Sequence, residues 1–266
     1  MIWFLAYLAV GAFAGFFAGL LGIGGGAVIV PMLVLIFSAQ GFPDGHLMHL
    51  VLGTSMATII FTASMSLRTH HQHQAVNWPV VKTFSPGIIV GTLLGAQLAA
   101  HVPTRPLAIF FSVFMLYVVL QFFINAKPKP SRELPGRWGM AGAGFVIGGF
   151  SALAAVGGGS LTVPFLIWCN VKMHQAIGTS AAVGLPIALA GSVGYMLSGY
   201  TTTGLPAGSF GFIYLPALAG TVIAGAIFAP IGARLTHQLP VPTLKKIFAG
   251  VLLLLLAKML YGLFSG

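Results

Sequence analysis

The stretch Gly19–Leu33, GLLGIGGGAVIVPML, returns as Ala152–Leu166, ALAAVGGGSLTVPFL. Gly24, Gly25, Gly26 and Pro31 map onto Gly157, Gly158, Gly159 and Pro164 at an offset of 133, half of the 266 residues. The chain therefore reads as two copies of one unit. Three consecutive glycines weaken a helix, and the proline that follows donates no backbone hydrogen bond. In lipid such a break survives only where protein or a water-lined cavity satisfies its polar groups. Interrupted segments at corresponding places in two halves point to a transporter's binding site.

Composition supplies the lipid. Hydrophobic residues make up 58% of the chain and charged residues 5%, with a mean hydropathy of +1.00. Apolar runs recur along the whole length with no polar stretch long enough for a separate soluble domain. The fold class is an all-α polytopic membrane protein, and the lipid bilayer is its first partner. Residues 2–21 are long enough to span and carry no basic leader, so they read as a retained membrane helix. Ala27–Phe37 is apolar but short, and makes the return limb of a glycine-broken helical hairpin, either a full crossing or a re-entrant loop. Spans follow at about 47–66, 80–100 and 107–124. The second half repeats the plan, with a hairpin at 138–169 and spans near 175–197, 212–233 and 244–263. The expected domains are a first membrane repeat at 1–126, a basic linker at 127–137 and a second membrane repeat at 138–266.

Loop charges set the orientation. Arg68, Lys82, Lys127, Lys129, Arg132, Arg137, Lys172, Arg234, Lys245 and Lys246 all fall on one side under this plan; Arg105 alone falls on the other. That bias makes the charged side, linker included, cytoplasmic and puts both termini outside the cytoplasmic (inner) membrane. The same bias explains the net charge of +10 better than nucleic acid does. Each half makes an odd number of net crossings, so the two repeats are inverted and their glycine breaks approach from opposite faces.

The match extends to His49 with Gly53-Thr54-Ser55 and His174 with Gly178-Thr179-Ser180. These triplets, with the doubled glycine–Val–Pro pattern, resemble the sulfite exporter TauE/SafE family over essentially the whole chain. The resemblance implies a permease for sulfur-containing anions, sulfite or organosulfonates, without settling substrate or direction. The second copy departs from the first at Ala155, where the first has Gly22.

The residues themselves carry compatible chemistry. A glycine break opening a helix leaves unpaired N–H groups at the positive end of the helix dipole, which suits a small oxyanion. The expected substrate-binding residues are Gly24, Gly25, Gly26, Gly157, Gly158, Gly159 and Ser160, with Thr54, Ser55, Thr179 and Ser180 turning hydroxyls toward the same cavity; Thr162 is a further donor. The alternative is that these small residues only pack helices closely. Valine at Gly25 or Gly158 is expected to block the anion and spare the fold. His49 and His174 could couple transport to protons, or be interfacial residues.

Other chemistry is less well supplied. His70, His71 and His73 invite a metal reading, and a divalent-metal permease or sensor is the alternative function. No carboxylate or cysteine accompanies them, so no metal ligand set and no cofactor is expected. Cys169, the single cysteine, excludes an internal disulfide. The two acids, Asp44 and Glu133, lie outside every span, which argues against cation exchange and against a two-carboxylate hydrolase. The reading is a non-enzymatic secondary transporter, an exporter of small sulfur anions working by alternating access, of unassigned oligomeric state.

Overall fold

In the computed structural model, residues 1–21, 25–124, 131–235 and 241–264 are described. The helices are α1 (Ile2–Leu21), α2 (Gly26–Ala39), α3 (Leu47–Gln72), α4 (Trp78–His101), α5 (Thr104–Ile124), α6 (Arg137–Ala154), α7 (Gly159–Trp168), α8 (Met173–Gly199), α9 (Leu215–Leu235) and α10 (Val241–Phe264). A 3-10 turn at Asp44–His46 precedes α3, and two-residue strands β1 (Ser209–Phe210) and β2 (Ile213–Tyr214) pair antiparallel before α9. Among the described residues six helices, α1, α3, α4, α5, α8 and α9, are long and apolar enough to cross a bilayer. The chain is a multi-pass, all-α membrane protein. At 1.5 Å per residue, the 14-residue α2 and the 10-residue α7 rise only about 21 and 15 Å, so neither crosses a hydrocarbon core alone.

Helix ends are set by local backbone chemistry. α2, α3, α6 and α7 each finish on a left-handed residue, Gly41, Gln74, Ala155 and Asn170. The next N–H then reaches five residues back: Phe42 to Phe37, Ala75 to His70, Val156 to Ser151 and Val171 to Leu166. This closing turn satisfies carbonyls that would otherwise end the helix unpaired. It also moves one expected boundary. Residues 67–72 belong to α3 and not to a loop, because loss of apolar character at the membrane edge does not end a helix. The expected span from residue 212 begins instead at Leu215, since Gly211 at φ 56° turns the chain into the β1–β2 strap.

Small residues decide which helices approach closely. A Cβ added to Gly53 would lie 3.1 Å from the Tyr195 Cβ, one on Gly191 2.9 Å from the Met56 sulfur, and one on Gly184 3.8 Å from the Ala63 Cβ. Numbers rising along α3 fall along α8, so this central, mostly buried pair is antiparallel. On α4 and α6, Gly87 abuts the Ala141 carbonyl, Gly91 that of Phe145, and a Cβ on Gly95 would be 2.8 Å from that of Gly149. This pair is parallel. So is α1 with α9, where Gly11 meets Thr221 and Gly15 meets Gly225. Each hairpin's first limb thus leans on the other half of the chain. Outside, Leu94, Leu98, Val113, Ile227 and Leu254 are exposed, as lipid-facing side chains are.

Candidate functional site

The two broken hairpins have matching geometry at their second limbs. Gly25 and Gly158 precede α2 and α7 with φ 79° and 78° and ψ −18° and −14°. Positive φ at both explains why each is glycine. The Gly25 carbonyl accepts from Val28 and Ile29, and the Gly158 carbonyl from Leu161 and Thr162 at 3.2 and 2.7 Å. Among the described residues no side chain caps either helix. Among the described residues nothing accepts from the N–H groups of Gly159 and Ser160, so α7 opens with free donors at its positive end. Gly24 lies outside the described residues.

The breaks touch. A Cβ on Gly26 would run into the Ala155 carbonyl and lie 3.0 Å from the Ile59 side chain. Ser55 donates to that same carbonyl at 3.4 Å. On the other side, a Cβ on Gly184 would lie 2.8 Å from the Gly157 carbonyl. Ser180 sits one turn before Gly184 and so shares the face of α8 turned to the second break. Ser160, Thr162 and Ser180 are buried, and among the described residues their hydroxyl oxygens have no hydrogen-bond partner. The Thr162 Oγ1 stands 3.3 Å from where a Gly158 Cβ would be, which aims it at the break. Buried hydroxyls are rarely left unpaired, and each costs about 1–3 kcal/mol in that state. Near a helix N-terminus with free N–H groups, such hydroxyls have the chemistry to donate to an acceptor.

The Gly-Thr-Ser triplets divide their work. Thr54 Oγ1 accepts from the Tyr214 N–H at 2.9 Å, and Thr179 Oγ1 accepts from the Asn77 N–H at 3.0 Å. Gly53 and Gly178 sit against the carbonyls of Phe212 and Ala75. Glycine and threonine therefore latch the chain leading into α9 and α4, and only the serines turn toward the breaks.

The histidines are not brought together. His49 is buried, with Nε2 3.1 Å from both the Ala99 and Val102 carbonyls; it ties α3 to the turn between α4 and α5. His174 is exposed at the start of α8, and the antiparallel α3–α8 pair puts the two at opposite ends. Among the described residues no three His, Cys, Asp or Glu side chains converge as a metal group. His73 folds back on the Thr69 carbonyl at 2.9 Å, and the His71 ring lies 5.5 Å from Trp78. The valine expectation also changes. At φ near +79° a β-branched residue strains the backbone whatever the anion does, so valine at Gly25 or Gly158 would unsettle the fold as well as the site.

Two contributors were missed. Tyr195 is fully buried and donates to the Ala152 carbonyl at 2.9 Å, bracing the end of α6 just before the break. Asn77 caps α4 by accepting from the Val80 N–H at 3.3 Å, a role signalled by Pro79 just inside that helix.

A family model described as "Sulfite exporter TauE/SafE" matches residues 7–259. A "Probable membrane transporter protein" of Haemophilus influenzae is 36% identical over 92% of this chain and 93% of its own length. The "Probable membrane transporter protein YunE" of Bacillus subtilis is 27% identical over 98% of this chain and 99% of its own. No solved structure matches the chain.

Proposed function

Because the chain belongs to the sulfite exporter TauE/SafE family, and is thus a membrane transporter, we propose that it exports small sulfur-containing anions, sulfite or organosulfonates, by alternating access. The observation that carries this reading is the group of unpartnered buried hydroxyls, Ser160, Thr162 and Ser180, around the free N-terminus of α7. A hydrogen bond to an anion contributes about 1.5–3 kcal/mol, so three or four offset much of a small anion's desolvation without a buried cation. A sulfonate or sulfite head, with three oxygens on one sulfur, accepts from converging donors. An inside-negative potential drives an anion outward with about 2.3 kcal/mol per charge per 100 mV.

The two halves, 1–126 and 138–266, are inverted repeats in the cytoplasmic membrane, with the 127–137 linker inside and both termini outside. Loop charges support this orientation. The helix directions also support it: α3 antiparallel to its counterpart α8, with α1 parallel to α9 and α6 parallel to α4, is the set that inversion requires. The substrate test is flux in proteoliposomes, with sulfite, ethanesulfonate, chloride and nickel run side by side. Flux of the two sulfur anions above chloride, with none for nickel, is the expected result. Nickel flux alone would replace this reading with the metal permease.

A further inference from the structure

A second polar site lies at the linker end of the molecule. Asn77, Glu133, Cys169, Asn170, Lys172 and Gln175 line a pocket of about 330 Å³, within the roughly 300–1,000 Å³ range of small-molecule sites. Its wall is built and not a chance gap between loops. The N–H groups of Ser131 and Arg132 both donate to the Trp168 carbonyl, at 3.2 and 3.3 Å, and the Arg132 guanidinium lies 4.7 Å over the Trp168 ring. These contacts strap the linker across the C-terminal end of α7 and carry Glu133 to the pocket. Asn170, left-handed at φ 62°, turns the chain back after α7 so that Lys172 reaches the same space.

The lining contains one acid and one base. Glu133 is one of two acidic residues in the chain, and neither it nor Lys172 makes an ion pair among the described residues. Three carboxamides, from Asn77, Asn170 and Gln175, add neutral donors and acceptors. The pocket lining is joined to the candidate site through α8: the Asn77 N–H is held by Thr179, Gln175 stands one turn before Thr179, and Ser180 follows.

We infer that this pocket is a loading vestibule that selects small zwitterions, its Lys172 and carboxamides taking an anionic head and its Glu133 an ammonium group. This deepens the proposed transport function and rests on it for the statement that bound solute moves on toward Ser180. The anionic head then passes to the hydroxyls at α7, while the ammonium is what the vestibule reads and the α7 site does not.

The test is calorimetric binding to the purified full chain in detergent, with 2-aminoethanesulfonate and ethanesulfonate as probes. Wild type binds the aminosulfonate at least about tenfold more tightly. Glu133→Gln removes that preference and leaves ethanesulfonate affinity unchanged or tightened, since a like charge is gone from the pocket, whereas Lys172→Gln weakens both probes. A wild type without preference, or a Glu133→Gln protein that keeps it, overturns the inference. The double variant Ser160→Ala/Ser180→Ala separates the two readings, since it keeps the vestibule preference whatever becomes of flux. If wild type moves no sulfur anion yet shows the preference and its loss in Glu133→Gln, the transport reading fails and the vestibule stands.

Discussion

The two latches of this protein use the same bonds in opposite surroundings. At one end Gly53 and Thr54 hold the strap before α9 through the Phe212 carbonyl and the Tyr214 N–H. At the other, Gly178 and Thr179 hold the turn before α4 through the Ala75 carbonyl and the Asn77 N–H. Around the first, Tyr214 packs edge-on against Tyr7, Phe37 and Phe42 with ring centroids 5.0–6.2 Å apart, and Gln40 bonds the Tyr7 hydroxyl. Around the second stand Asn77, Gln175, Lys172 and Glu133 and a pocket of about 330 Å³. The same backbone device thus sits among aromatic rings at one end, an aromatic seal in the proposed reading, and beside a polar pocket at the other, a polar mouth in that reading. The proposed alternating-access reading matches this asymmetry to a state closed at the strap end and open at the linker end.

The largest expected effect breaks the seal. Tyr214→Ala removes a ring that joins three others and should cost about 2–4 kcal/mol, whereas Asn77→Ala, which removes a helix cap, should cost about 0.5–2 kcal/mol. Thermal unfolding in detergent measures both, and equal losses would erase the distinction between the ends. Next, Thr54→Val and Thr179→Val each leave a backbone N–H without its acceptor, at about 1–3 kcal/mol when no water replaces it. Thr54→Val should be the more damaging, because water in the linker-side pocket can reach the Asn77 N–H. A larger loss for Thr179→Val would mean that the polar mouth is drier than its lining implies.

A smaller effect is a pH dependence at the polar mouth. Burial pushes the Cys169 thiol above its ordinary value, with Arg132 opposing the shift in part. Less thiolate is then present at neutral pH, so alkylation of this single thiol should be slow at pH 7 and accelerate at higher pH than for a free cysteine. Mass spectrometry of the intact chain reads the rate; a thiol fully alkylated at pH 7 within minutes would contradict it. The smallest effect is at the second break. Ala155 holds φ 46°, where glycine is at ease, so Ala155→Gly should be neutral or stabilise by up to about 1 kcal/mol, read as a small rise in Tm.

Much of this was legible in the chain. The doubled glycines marked both breaks, since three glycines and a proline in an apolar run leave few other conformations. Helix α1 spans the residues its apolar run marked, and both short limbs begin beside their glycine runs. Partners distant in sequence were not legible. Thr54 meets Tyr214 and Thr179 meets Asn77 across 160 and 102 residues, so a hydroxyl that looked free for substrate is engaged by backbone. The carbonyls that hold His49 belong to a turn 50 and 53 residues away, and no local pattern announces them. Nor does hydropathy say which lipid-length helix lies beside which; the pairing of α1 with α9 and α4 with α6 depends on glycines meeting across halves.

The central claim is that the unpartnered hydroxyls at α7 wait for the anion. Sulfite flux from proteoliposomes carrying Ser160→Ala/Ser180→Ala tests it most directly. Among the described residues neither hydroxyl has a protein partner, so removing both should leave the unfolding temperature unchanged or raised. Flux should fall at least about tenfold, from the loss of two charge-assisted bonds. Wild-type flux in a folded double variant would contradict the account and leave the hydroxyls and glycines as packing residues.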